Sequence, residues 1–146
     1  MQSDKRTEVI ESLGKEVRRF IAGSILFNLK VAQDLGANAI DLQCLNLLEL
    51  QENVRPGDLA KWTRLSTGGV TVVLDRLEVA GYIQREPNPK DRRSSIIRLV
   101  PGGLRRLQSI YRSKGEGLMS VLSEYNDHDL HVIQDFFQRT NRAGEG

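Results

Sequence analysis

Residues 65–100, LSTGGVTVVLDRLEVAGYIQREPNPKDRRSSIIRLV, decide the fold. Val70, Val73, Leu74, Leu77 and Ala80 fall at i, i+3, i+4, i+7 and i+10, which is one apolar stripe along a helix. Ser66 is placed to cap the start of that helix, and Gly81 to end it as a left-handed residue. Two short strand-like runs follow, residues 82–86 and 95–100, joined by PNPKDRR, whose prolines and Asn88 favour a turn. The order helix, stop, ribbon sets one helix beside one basic loop. A DNA duplex has a major groove that admits the first and an adjacent minor groove that admits the second.

Working outward, Pro56 opens a short helix carrying Leu59, Ala60 and Thr63, and the turn at Leu65 and Ser66 joins it to the striped helix. Asn38, with Asp41 three places on in a capping-box-like position, opens the helix before that, from which Leu42, Leu45, Leu48 and Cys44 point inward. Residues 6–33 place Val9, Ile10, Leu13, Val17, Phe20, Ile21, Leu26 and Leu29 at helical spacing over about seven turns. Beyond the ribbon, Pro101 and Gly102 read as a break. Helices are then expected at about residues 104–125 and 127–142, the second opened by Asn126. The final AGEG reads as a frayed end.

The expected fold class is therefore mainly α with a small β-hairpin. A winged helix-turn-helix lobe at about residues 38–100 lies between long terminal dimerisation helices at about 6–35 and 104–142, all in one domain over 1–146. The terminal helices carry more apolar surface than a lone winged helix covers: Phe20 and Ile21 at one end, and Leu118, Met119, Val121, Leu122, Leu130, Ile133, Phe136 and Phe137 at the other. A two-fold homodimer is the economical solution. It would set two recognition helices about 34–36 Å apart, one turn of DNA, and imply a pseudo-palindromic site.

Composition sets wide bounds. The chain has 146 residues, 39% hydrophobic and 27% charged, ordinary for one soluble domain. No apolar run approaches a membrane span, and the polar start MQSDKRTEV gives no sign of a signal peptide. A single cysteine, Cys44, excludes an internal disulfide and suits a reducing cytoplasm, which is the expected location. The net charge of +2 announces no nucleic acid, but its distribution does: Arg85, Lys90, Arg92, Arg93 and Arg98 face only Glu86 and Asp91 within residues 85–98. That local excess leaves the remainder near neutral.

The stretch LDRLEVAGYIQREPNPKDRRSSIIRLVPGG (residues 74–103) resembles the recognition-helix-and-wing signature of the MarR family, LxRLxxxGxIxRxPxPxDxRxxxIxLxxxG. The preceding GDLAKWTRLSTGGVT and the long end helices extend the similarity over most of the chain. The Asp-x-Arg of the wing, Asp91 and Arg93 here, is its most specific part. The resemblance implies a homodimeric, cytoplasmic regulator that binds operator DNA, with Arg93 inserting into the minor groove and Asp91 orienting its guanidinium. It also implies release by a small aromatic or acidic effector entering a cleft between the dimer helices and the lobe. Three departures stand out: Arg55 and Val100 replace threonine caps, and Gly68–Gly69 loosen the first turn of the recognition helix by roughly 1 kcal/mol each.

From the residues themselves, Ser66 and Thr67 suit phosphates at a helix N-terminus, where backbone N–H groups point outward. Gly68 permits close backbone approach, Thr71 would donate to a base edge, and Val72 would touch a thymine methyl. Arg76 shares that face. Arg85 and Arg98 suit phosphate clamps, while Lys90, Asp91, Arg92 and Arg93 form the wing tip. Asp75, a carboxylate facing DNA, needs an arginine partner, either Arg76 or a wing residue. For the effector cleft, helix faces suggest Phe20, Phe27, Cys44, Tyr111 and Arg112.

Other features read more plainly. Cys44 sits among leucines and is expected in the core rather than as a redox sensor. His128 and His131 are a weak metal signal and read as surface residues. Trp62 is expected to pack in part against the lobe. No nucleophile elbow, phosphate-binding glycine loop or catalytic histidine pairing is present, so neither enzymatic activity nor a cofactor is expected. Two alternatives share the fold: a winged helix that contacts a partner protein, and an architectural protein coating DNA without sequence preference. The basic wing argues against the first, the near-neutral net charge against the second.

Overall fold

The computed structural model describes residues 2–144. Its elements run α1 (Gln2–Asp34), α2 (Ala39–Leu50), α3 (Pro56–Thr63), α4 (Thr67–Val79), β1 (Ile83–Pro87), β2 (Ser95–Leu99), α5 (Pro101–Leu122) and α6 (Asp127–Gly144). The fold is mainly helical with one antiparallel hairpin, the class expected. The chain divides into two compact units, one ending at Arg105 and the other starting at Arg106.

In the first unit the core is built by α2, α3, α4 and the hairpin. Leu42, Leu45, Leu59, Leu77 and Val54 are fully enclosed. Cys44 and Leu48 are also buried, so all four inward positions of α2 are inside. On α4 the stripe Val70, Val73, Leu74 and Leu77 is buried. Ala80 departs from it: as the C-cap it has left the helix and is exposed.

Each helix start in this unit has a local reason. Asn38 accepts the Asp41 backbone N–H at 2.8 Å, and Ser66 accepts that of Gly69 at 3.1 Å. Arg55 offers no oxygen, but Asp58 in the first turn of α3 accepts the Arg55 backbone N–H at 2.9 Å, so this start is held from inside the helix. That N–H first, and then the Arg55 guanidinium, hold the Asp58 carboxyl below its ordinary range. Helix α4 ends in a Schellman motif: Tyr82 N–H donates to Leu77 and Gly81 N–H to Glu78, with Gly81 at φ 82°. Tyr82 and Leu77 are both buried at this helix end.

The hairpin pairs Ile83 with Leu99 and Pro87 with Ser95, leaving a seven-residue wing tip, 88–94. Ile97 N–H donates to Val54 at 2.8 Å, which ties β2 to the segment before α3. The break expected at Pro101 and Gly102 is instead the first turn of α5. Proline lacks the N–H that a first helical residue leaves unused, so it starts this helix rather than stopping one. Gly103 follows because the chain passes so close to Tyr82 that a Cβ here would lie 2.8 Å from its carbonyl oxygen.

The end helices are amphipathic with open apolar faces. On α1, Val9, Ile10, Leu13, Phe20, Ile21 and Leu26 are all more than half exposed, and burial starts only at Val31 and Ala32. In the second unit α6 buries no residue, and Phe136 and Phe137 meet edge to face at 5.4 Å. Helix α6 is capped by Asn126, which accepts the Asp129 N–H at 2.9 Å. It runs two residues past the expected end at 142, through part of the AGEG segment, whose last two residues lie outside those described. Among the described residues no helix is long and apolar enough to cross a membrane.

Candidate nucleic-acid interface

With its apolar stripe buried, α4 turns Ser66, Thr67, Gly68, Thr71, Val72, Asp75 and Arg76 outward. The first turn leaves its backbone N–H groups at an exposed end, where the helix dipole favours an anion. A Cβ at Gly68 would meet nothing within 4 Å. The fold therefore does not require glycine at this exposed position. Thr71 differs from the expectation that it donates to a base: its hydroxyl already donates to the Thr67 carbonyl at 3.1 Å, leaving lone pairs to accept. Val72 stands 54% exposed, an apolar surface with no cover.

The arginines separate into two groups. Arg76 donates through Nη2 and Nε to both oxygens of Asp41, at 2.7 and 3.2 Å. The Asp41 carboxylate holds the guanidinium still more firmly protonated. Asp41 thus serves an ion pair, not the capping box its position suggested. Arg85 reaches from β1 to Asp75 at 2.6 Å and to Glu78 at 3.2 Å, so the partner of Asp75 is the wing-strand residue. Arg98 donates to Glu86 at 2.6 Å and to Asn53 at 3.3 Å, which holds the Glu86 carboxyl below its ordinary range. Both arginines expected to clamp phosphates are thus engaged within the lobe.

At the wing tip the pattern reverses. Lys90, Arg92 and Arg93 are exposed, and among the described residues their side chains form no ion pair. The tip is shaped by side chains bonding to backbone. Asn88 accepts the Lys90 N–H at 3.0 Å, Asp91 accepts the Arg93 N–H at 2.9 Å, and the Asn88 amide donates to Ser94 at 3.0 Å. Asp91 was expected to orient the Arg93 guanidinium; it orients the Arg93 backbone instead. The short reach between residues two apart favours this Asx turn.

Of the cleft candidates, Phe20 is exposed, Phe27 is half-buried and Cys44 is closed off in the core. Burial first, then the nearby Asp41 charge, push the Cys44 thiol up to about 11, against the pull of Arg76. This corrects its placement as a cleft-lining residue: packing among leucines seals it. Tyr111 is half-buried and Arg112 exposed, both on the second unit. Trp62 is half exposed. Sequence reasoning missed Asn53, Glu78 and the Asp41 pairing. Only Glu78, one turn from Asp75, carried a local signal.

Comparison with known proteins agrees with this geometry. Residues 38–95 match the MarR family model. The chain is 33% identical over 133 residues to the HTH-type transcriptional regulator YcgE of Bacillus subtilis, covering 91% of this chain and 86% of the relative. The chain belongs to the MarR family. Among solved structures, the transcriptional regulator Tm0710 of Thermotoga maritima superposes with a TM-score of 0.68 at 21% identity, over 92% of this chain and 95% of that one. A mutant of MarR from Escherichia coli, complexed with operator DNA, superposes with a TM-score of 0.58 at 21% identity, over 90% and 94%. At such identities the structural likeness is one of fold: a MarR-family winged helix.

Proposed function

We infer that this MarR-family chain is a sequence-specific DNA-binding transcriptional regulator, a repressor, that acts in the cytoplasm as a homodimer on a pseudo-palindromic operator. Helix α4 enters the major groove and the wing tip the adjacent minor groove. The observation that carries this reading is the segregation of cations: Arg76, Arg85 and Arg98 are tied to carboxylates, whereas Lys90, Arg92 and Arg93 stand open at the wing tip. Phosphate and minor-groove contacts therefore fall to those three and to the α4 N-terminus at Ser66 and Thr67. Arginine suits a narrow, negative minor groove because its guanidinium is always charged and weakly hydrated. Thr71 and Val72 would read base edges, with Gly68 allowing close approach.

A MarR relative crystallised with operator DNA supports the choice of ligand. A small aromatic or acidic effector would act by favouring a dimer geometry whose recognition helices no longer fit successive major grooves.

The test is selection of bound duplexes from a random pool at about physiological salt. The expected result is an enriched inverted repeat with half-site centres about 10 base pairs apart. Recovery of unenriched DNA would replace this reading with a coating role, and no recovery with a protein-interaction module.

A further inference from the structure

Arg76 stands on the outward face of α4, a helix turn beyond Val72, where its length would carry a guanidinium to a phosphate. Instead it is held by Asp41, the one buried charged side chain among the described residues. Asp41 sits in the first turn of α2, and its backbone N–H is fixed by the Asn38 cap. Its neighbours Leu42 and Leu45 lie wholly inside the core, and the Asp41 side chain is itself only 4% exposed, covered on its open side by Arg76. A carboxylate in such a place is strongly destabilising unless paired. The arginine fork meets it with two nitrogens, a geometry that fixes direction as well as charge.

We propose that Asp41 is a positioning residue of the DNA-binding surface, withholding the Arg76 charge from the phosphate backbone while pinning the rotation of α4 against α2. The proposal rests on α4 being the recognition helix. A phosphate contact carries no sequence information and strengthens binding to every duplex alike. Sequestering Arg76 therefore trades non-specific affinity for discrimination. It also leaves base reading to the first half of α4.

The experiment compares salt dependence of binding, to the selected operator and to a random duplex, for four proteins: wild type, Asp41→Asn, Arg76→Gln and the double variant. Asp41→Asn liberates Arg76. The slope of log affinity against log salt should steepen by about 0.9 per protomer, and the ratio of operator to random affinity should fall. Arg76→Gln should leave the slope at the wild-type value. The double variant removes both charges and so leaves neither one unpaired, which makes it the control for strain in the single variants, and its slope should also match wild type.

A purely structural role would lower all affinities without steepening any slope. The assignment is overturned if Arg76→Gln or the double variant flattens the slope by about one unit per protomer, or if Asp41→Asn leaves it unchanged. Wild-type protein with no salt-dependent affinity for any duplex would instead overturn the functional reading, and this proposal with it.

Discussion

Arg93 illustrates how much a single residue can be asked to do. Its backbone is fixed by Asp91 while its guanidinium has no partner within the described residues, an arrangement ready for an external anion. Replacing Arg93 by Ala should weaken operator binding and flatten the salt dependence by about one counterion per half-site, measured by titration across salt concentrations. An unchanged slope would remove Arg93 from the interface. Cys44 makes the opposite case. Its thiol is buried and pushed up to about 11, so a thiol-alkylating reagent at pH 8 should label native protein far more slowly than unfolded protein. Because the folded pKa lies above the ordinary 9.0, this group should also cost stability as pH rises from 9.0 towards about 11, the unfolded thiol ionising first. Denaturant midpoints across that window check the sign. At this scale the sequence was only partly legible. The Asn38 and Ser66 caps were readable because donor and acceptor lie three residues apart. The Asp41–Arg76 pair spans 35 positions and exists only once α2 and α4 have packed. Thr71 and Asp91 were readable as polar residues, but not the backbone groups that claim them.

Elements were more legible than contacts, since a helix is written in its own period and ends. The bounds of α3 and α4 followed from Pro56, Ser66 and Gly81, whose chemistry is local. The start of α5 differs from the expected break because Pro101 and Gly102 are punctuation in isolation, whereas a proline at the first helical position opens a helix; the close pass by Tyr82 acts one residue later, at Gly103. Adjacent glycines there separate the two effects. Gly103→Ala would force a Cβ to 2.8 Å from the Tyr82 carbonyl oxygen and should destabilise by about 1–3 kcal/mol. Gly102→Ala meets nothing within 4 Å and should be neutral or stabilising. Thermal unfolding of the two variants side by side provides the check. Gly68→Ala on α4 probes function with the same logic. Open space around it means that added helix propensity should stabilise the lobe by up to about 1 kcal/mol. If the α4 backbone approaches the duplex there, operator affinity should fall nonetheless, and a variant gaining both stability and affinity would refute close approach.

The whole molecule poses the question of what covers its end helices. An apolar stripe runs from Val9 to Leu29 on α1, and another runs along α5 and α6 through Leu118, Met119, Val132, Phe136 and Phe137. Contiguous apolar patches beyond a few hundred Å² are rare on monomeric proteins and mark surfaces that meet a partner. The sequence showed these stripes plainly, as period without cover, although neither period nor composition names the partner. A second copy is the simplest occupant, because a two-fold interface is self-complementary and one pairing would cover apolar surface on both chains. The intact chain should therefore sediment as a dimer at micromolar concentration. Phe136→Asp sets a charge in the middle of the α6 stripe and should shift the chain towards monomer, leaving the far-UV circular dichroism of the winged lobe intact. Each lobe would then bind its half-site alone and lose the effective concentration that a linked second lobe supplies, a factor on the order of 10² to 10⁴ in apparent affinity. The salt slope per bound lobe should stay unchanged, since no wing contact is altered. A variant that remains dimeric, or a monomer that keeps full operator affinity, would separate dimerisation from DNA binding and assign the exposed stripes to some other partner.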